Sequence, residues 1–130
     1  MFINSSARVL VYLHLMKKVY YLGTCDTCAR IIKELGLKNK GFEFQDIKTE
    51  KITAKQLEEM KDMAGSYEAL FSRVALKYKT LDPKPAKESE YKKLILEEYT
   101  FLKRPVIING KNIFVGNSPK NVAAAKESLK

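Results

Sequence analysis

Val19-Tyr20-Tyr21-Leu22-Gly23-Thr24-Cys25-Asp26-Thr27-Cys28-Ala29-Arg30-Ile31-Ile32-Lys33-Glu34-Leu35 is the stretch on which the reading of the fold turns. It opens as an apolar, β-favouring run, Val19 to Leu22, and continues with helical spacing at Cys28, Ile31/Ile32 and Leu35. Cys25 and Cys28, the only two cysteines of the chain, therefore stand at a strand-to-helix junction. A Cys-x-x-Cys in that setting is the sequence form of a redox site. At a helix N-terminus the first cysteine faces unpaired backbone N–H groups and the positive end of the macrodipole, which stabilise thiolate over thiol. Cys25 is the candidate nucleophile. Cys28, one turn further in and within reach for a disulfide, suits a resolving thiol.

Two plainer readings compete. A Cys-x-x-Cys can be half of a structural zinc site, but tetrahedral zinc needs four ligands, and the only histidine, His14, lies outside the patterned region. No metal is expected without ligands from a second chain. Cys28 alone could also be a small core hydrophobe, since free cysteine is often buried.

At 130 residues and 45% hydrophobic content the chain has the size of one domain with one core. Two closely spaced cysteines supply no disulfide framework, which points to a reducing, cytoplasmic compartment. Residues 1–15 stand apart: Ala7 to Leu15 is too short to span a bilayer, and Met1 to Ser6 carries no lysine or arginine for a signal peptide. Met16-Lys17-Lys18 then opens the first strand as a start codon would, so residues 1–15 are read as an extension or a misassigned start, and 16–130 as the domain. No membrane association is expected.

The net charge of +9 is uneven. Residues 16–40 carry six Lys/Arg against two acids and residues 101–130 six against one, whereas residues 41–100 carry eleven against twelve. Positive charge thus flanks the cysteines and the C-terminal strands. Such a field favours a thiolate and anionic substrates such as oxyanions or glutathione. Direct nucleic-acid binding is not expected, because no Lys/Arg run interleaved with aromatics occurs.

Residues 17–22, 26–37 and 42–45 read as strand, helix, strand, the two strands parallel with a right-handed crossover. Phe42-Glu43-Phe44-Gln45 alternates as a half-buried strand does. From about 52 to 99 the pattern is helical. Thr53-Ala54-Lys55-Gln56 is a capping box, with Ile52 and Leu57 as a hydrophobic staple and Leu57, Met60 and Ala64 on one face. A short helix begins at Ser66 and carries Leu70 and Phe71. After the turn chemistry of Leu81 to Pro85, a longer helix spans about Lys87 to Tyr99 with Tyr91, Leu94, Ile95 and Glu98 in register. Pro105 to Ile108 and Lys111 to Val115 flank Asn109-Gly110, the strongest short hairpin signal. Ser118-Pro119 then caps a terminal helix with Val122, Ala125 and Leu129 inward.

The order βαβ, helical insert, ββα, with Cys-x-x-Cys after the first strand and Arg104-Pro105 opening the third, resembles the thioredoxin fold: an α/β protein with a mixed four-stranded sheet flanked by helices. More specifically, the chain is similar to the glutaredoxin-like arsenate reductase (ArsC) and Spx family over about residues 17 to 130. Tyr20 to Cys28, the insert, Leu102-Lys103-Arg104-Pro105-Val106-Ile107-Ile108 and the closing hairpin and helix carry the resemblance.

The resemblance implies that Cys25 is the reactive thiol, that Arg104 binds an oxyanion, and that Arg73 is a second anion-binding arginine. It also implies a cis-proline at Pro105, opposite the cysteines. A third arginine found in ArsC after the hairpin has no match, since Val115-Gly116-Asn117-Ser118 stands there. Cys28 is typical of Spx, yet the arginine that follows the second cysteine in Spx is replaced by Ala29. The expected function is a thiol-dependent reductase of arsenate or of a glutathione mixed disulfide. It would hold no bound cofactor and would draw on glutathione, glutaredoxin or thioredoxin as reductant. The alternative is a redox-sensing transcriptional regulator that binds RNA polymerase, and a weaker third option is the family fold with no enzymatic role.

Overall fold

The computed structural model describes residues 16–130; the extension or misassigned start read at 1–15 lies outside the described residues. Strand β1 (Lys17–Tyr21) leads into helix α1 (Asp26–Glu34), and β2 (Glu43–Asp46) follows. The insert holds α2 (Ala54–Ala64), the short α3 (Tyr67–Leu70), a 3-10 turn at Leu76–Thr80 and α4 (Glu88–Glu97). Strands β3 (Val106–Asn109) and β4 (Asn112–Val115) and helix α5 (Pro119–Ser128) close the chain.

The sheet runs β2-β1-β3-β4, with β1 parallel to β2 and antiparallel to β3, and β3 antiparallel to β4. Strand alternation sends successive side chains to opposite faces. Val19 and Ile107 therefore pack with Ile31, Ile32 and Leu35 of the α1 region and Ala125 of α5. Tyr20, Val106 and Ile108 face the other way, into a core made by the insert: Leu57, Met60, Leu70, Phe71, Tyr91, Ile95 and Phe101. Covering both faces is what gives a 115-residue body enough apolar burial to fold.

Local chemistry sets the element ends. Leu35 caps α1, and Gly36 adopts φ 64°, so the helix stops at Glu34 and a 3-10 turn at Leu37–Asn39 replaces its expected last residues. The capping box is formed: Thr53 Oγ1 accepts from the Gln56 N–H at 3.0 Å, and Gln56 Oε1 accepts from the Thr53 N–H at 3.1 Å. Gln56 does a second task. Its amide pairs reciprocally with that of Gln45, at 2.9 and 3.2 Å, tying α2 to β2. That pairing explains why β2 is covered more fully than its alternation indicated, with Gln45 only 2% exposed: a buried amide is tolerated when its donors and acceptor are met.

The hairpin turn also differs in detail. Asn109 pairs with Asn112, so Gly110-Lys111 forms the loop, and among non-glycine residues none described has positive φ. Gly110 at φ 63° in the first loop position is the type II′ arrangement. Asn109 is thereby free to donate from Nδ2 to the Ser128 carbonyl at 3.1 Å, which fastens the hairpin to α5.

Candidate active site

Cys25 is the N-cap of α1: its backbone is extended, and its Sγ accepts from the Cys28 N–H at 3.4 Å. The thiol thus takes the place that a serine or aspartate side chain usually fills at a helix start. The loop before it is fixed by one main-chain bond and one to a side chain. The Cys25 N–H donates to the Leu22 carbonyl at 3.0 Å, and the Gly23 N–H donates to Asp46 Oδ2 at 3.2 Å. A Cβ at position 23 would lie 2.5 Å from that carboxylate oxygen, so a larger residue there would push the Asp46 side chain aside and break the bond.

The two thiols sit in opposite environments. Cys25 is half-buried and Cys28 fully buried, and both are reduced. Burial pushes Cys25 up, but the Cys28 N–H and thiol, the Arg104 charge and the Thr27 N–H together hold it below the ordinary thiol value. Cys28 is pushed up to about 11, chiefly by burial and further by the thiol and charge of Cys25. The half-buried thiol therefore ionises more readily than the buried one behind it.

In front of Cys25 lies a cleft of about 430 Å³ that Arg73, Lys103 and Arg104 also line, together with Phe71, Ser72, Val74 and the Val115 to Ser118 corner; no Asp or Glu lines it. A two-residue ladder brings insert and sheet together there. Phe71 and Leu102 form an antiparallel bridge, flanked by the bonds Ser72 N–H to Phe101 carbonyl (2.7 Å) and Lys103 N–H to Leu70 carbonyl (2.9 Å). The Arg104-Pro105 peptide bond is cis. Arg104 turns back along the ladder, donating from Nη1 to the carbonyls of Thr100 (3.1 Å) and Leu102 (3.3 Å), while its Nε is buried with no hydrogen-bond partner.

Arg73 is held by side chains instead. Its Nη2 donates to the Tyr91 hydroxyl at 2.9 Å, its guanidinium lies 5.6 Å from the Tyr91 ring centroid, and Glu68 Oε2 is 3.8 Å away. Tyr91 is 4% exposed and packed against Phe71. All four polar residues read from the sequence, Cys25, Cys28, Arg73 and Arg104, thus gather at one site, Cys28 behind the wall and the other three on it. Pro105 is buried, and its carbonyl accepts from the Gly116 N–H at 2.9 Å, placing the Val115 to Ser118 corner beside Arg104.

Sequence reasoning passed over Lys103, Ser72, Val74 and Tyr91. Lys103 carries a visible signal, since it adjoins Arg104-Pro105. Tyr91 carries none, because its contact with Arg73 spans eighteen residues. Among the described residues, no group of three or more His, Cys, Asp or Glu side chains could hold a metal ion, and no helix is long and apolar enough to cross a membrane.

A model of the ArsC family matches residues 20–125. Among solved structures the chain is similar to the YFFB (PA3664) protein, at 25% identity and TM-score 0.72 over 85% of this chain and 98% of that one. It is similar to an ArsC-family-related protein from Bacteroides fragilis, at 21% identity and TM-score 0.71 over 90% and 99% of the two chains. An arsenate reductase from Vibrio cholerae matches at 15% identity and TM-score 0.66 over 84% and 98%. The last two likenesses speak to the fold alone. No curated protein sequence matches the chain. With its thioredoxin-like sheet, its cysteine pair at the first helix and a family match over most of its length, this chain belongs to the ArsC family.

Proposed function

We propose that this protein is a thiol-dependent reductase in which Cys25 is the nucleophile and Cys28 the resolving thiol, acting on arsenate or on a glutathione mixed disulfide. The observation that carries the reading is the asymmetry of the pair: a thiol held low at an open cationic cleft, backed by a buried thiol pushed up to about 11. The free thiolate attacks, and the protonated partner does not compete for substrate.

With a mixed disulfide, Cys25 thiolate attacks one sulfur, a new S–S bond forms to Cys25, and the other sulfur leaves as a thiol. With arsenate, the thiolate displaces one oxygen as water and forms an S–As bond. Like charges oppose that approach, and Arg104, Arg73 and the α1 N-terminus offset the repulsion. Arg104 keeps one buried N–H unpaired, the kind of donor a bound oxyanion satisfies. Capping Cys25 then changes Cys28. Hydrogen bonding to Cys25 and the charge on it are two of the causes that keep Cys28 protonated. Once Cys25 is bonded to substrate, those two causes vanish, Cys28 ionises more readily, and it attacks Cys25 Sγ. The products are the Cys25–Cys28 disulfide and either glutathione or arsenite, with the two electrons drawn from the thiols.

The test is turnover of the purified chain with arsenate and, separately, with a glutathionylated peptide, using glutathione and glutaredoxin as reductant. Cys25→Ser abolishes turnover, and Cys28→Ser leaves a mixed disulfide trapped on Cys25 or a dependence on external glutathione. A chain with no turnover on either substrate, whose oxidised and reduced forms differ in affinity for RNA polymerase, would instead be a regulator.

A further inference from the structure

One carboxylate ties the turn beneath Arg104 to the segment that leaves Arg73. Glu98 ends α4 as its C-cap and opens a three-residue 3-10 turn, Tyr99–Phe101, as its N-cap. Its Oε1 accepts from the Thr100 hydroxyl at 3.0 Å and from the Thr100 N–H at 3.4 Å, and its Oε2 accepts from Lys77 Nζ. Lys77 belongs to the 3-10 turn Leu76–Thr80 that follows Arg73. Thr100 supplies the carbonyl to which Arg104 Nη1 donates at 3.1 Å, and the next carbonyl, that of Phe101, takes the Ser72 N–H at 2.7 Å. Glu98 itself does not line the cleft.

Helix stability does not account for this residue. A carboxylate at a helix C-terminus faces the negative end of the macrodipole and costs stability there. It is nonetheless kept charged: the Lys77 bond, opposed by partial burial and helped by the two Thr100 bonds, holds Glu98 below the ordinary carboxyl value. What it fixes is the turn. The hydrogen bonds of a 3-10 turn have poor geometry, and this one rests on Phe101 N–H to Glu98 carbonyl (3.1 Å) and Leu102 N–H to Tyr99 carbonyl (3.2 Å). A side chain that accepts at the N-cap therefore sets where the Thr100 carbonyl points. We propose that Glu98 is a positioning residue for the anion site: through Thr100 it sets the carbonyl that aims Arg104, and through Lys77 it holds that turn against the insert segment that carries Arg73. This rests on the reading of Arg104 as an oxyanion-binding residue.

The sign of the effect separates this role from a bare charge effect. Deleting a negative charge near a cationic site strengthens anion binding and favours the Cys25 thiolate. Deleting the group that aims Arg104 does the reverse, because the Arg104 charge is one of the causes that hold Cys25 low. The experiment uses the full chain in its reduced form, with inorganic phosphate titrated by calorimetry and Cys25 alkylation by iodoacetamide followed across pH. Glu98→Ala is expected to bind phosphate about threefold to tenfold more weakly, as for the loss of one supporting hydrogen bond, and to move the Cys25 profile to higher pH. Glu98→Gln, whose amide oxygen still accepts from Thr100, restores most of both. In an Arg104→Ala background, Glu98→Ala adds no further weakening. If Glu98→Ala fails to fold by circular dichroism, Thr100→Val deletes the hydroxyl bond alone and is expected to move both readouts in the same direction by less. Unchanged or tighter phosphate binding in the folded variant overturns the role. So does an equal loss in the Arg104→Ala background, which is what general loosening of the fold produces, and so does a Glu98→Gln variant as weak as Glu98→Ala. An Arg104→Ala chain that matches wild type in phosphate binding overturns the anion reading of Arg104, and the role of Glu98 with it.

Discussion

The half of the molecule that presents Cys25 and the insert that presents Arg73 meet at one cleft but hold their side chains by different means. Around α1 the packing is largely aliphatic, with Val19, Ile31, Ile32, Leu35, Leu37 and Ile107, and Cys25 is fixed by main-chain groups. In the insert an aromatic cluster, Phe71 with Tyr78, Tyr91 and Phe101, sits among Leu57, Met60, Leu70 and Ile95, and Arg73 is fixed by a tyrosine hydroxyl. Chemistry carried by backbone survives most side-chain changes. Anion binding carried by side chains does not, so the two halves should fail in different ways.

The largest expected effect comes from breaking the aromatic half. Phe71 is fully buried at the bridge to Leu102, so Phe71→Ala removes both a core filler and the support of the ladder. We expect a loss of about 3–5 kcal/mol in denaturant unfolding, against about 0.5–1.5 kcal/mol for Ile31→Val in the aliphatic half. A loss well below about 3 kcal/mol for Phe71→Ala would mean that its ring and the ladder it supports add little to the fold.

Arg104→Ala comes next, since it removes the cation anchored to the Thr100 and Leu102 carbonyls at the junction of the halves. A charge-assisted anion contact contributes about 1.5–3 kcal/mol, so arsenate or phosphate should bind at least roughly tenfold more weakly, by calorimetry, with the fold intact. Unchanged affinity would remove Arg104 from the proposed anion site.

Tyr91→Phe sharpens the comparison with the smallest change. It keeps the ring that packs on Phe71 and deletes only the hydroxyl that Arg73 uses. The expected cost is about 0.5–1.5 kcal/mol in oxyanion affinity, a few-fold effect, with the alkylation rate of Cys25 the same as in wild type. A slower Cys25 in this variant would show that the insert tunes the thiol as well as the anion.

How much of this was legible in the sequence follows the same division. The Cys25 site depends on neighbours within a few residues, so the strand, the helix start and the placement of both thiols could be read from Val19 to Leu35 alone. The capping box at Thr53 and the N-cap at Ser118 were legible for the same reason. The Tyr91 support of Arg73 and the Gln45–Gln56 amide pair were not, because each joins residues brought together only by tertiary packing. The hairpin shows a middle case: Asn109-Gly110 announced the turn, but the register that puts Gly110-Lys111 at its tip was decided by the pairing of Asn109 with Asn112. As part of the site, the Val115 to Ser118 corner was visible only as the absence of an arginine. It proves to be a wall of the cleft.

The inequality between Cys25 and Cys28 carries the proposed chemistry, and alkylation by iodoacetamide as a function of pH measures it directly. Thiolate is the reactive form, so each rate rises as pH climbs through the pKa of its cysteine. At neutral pH, peptide mass mapping should find Cys25 modified well before Cys28. The Cys25 profile should rise below the range of an ordinary thiol, and that of Cys28 only toward pH 11. Equal rates at neutral pH, or a faster Cys28, would contradict the assignment of Cys25 as the nucleophile.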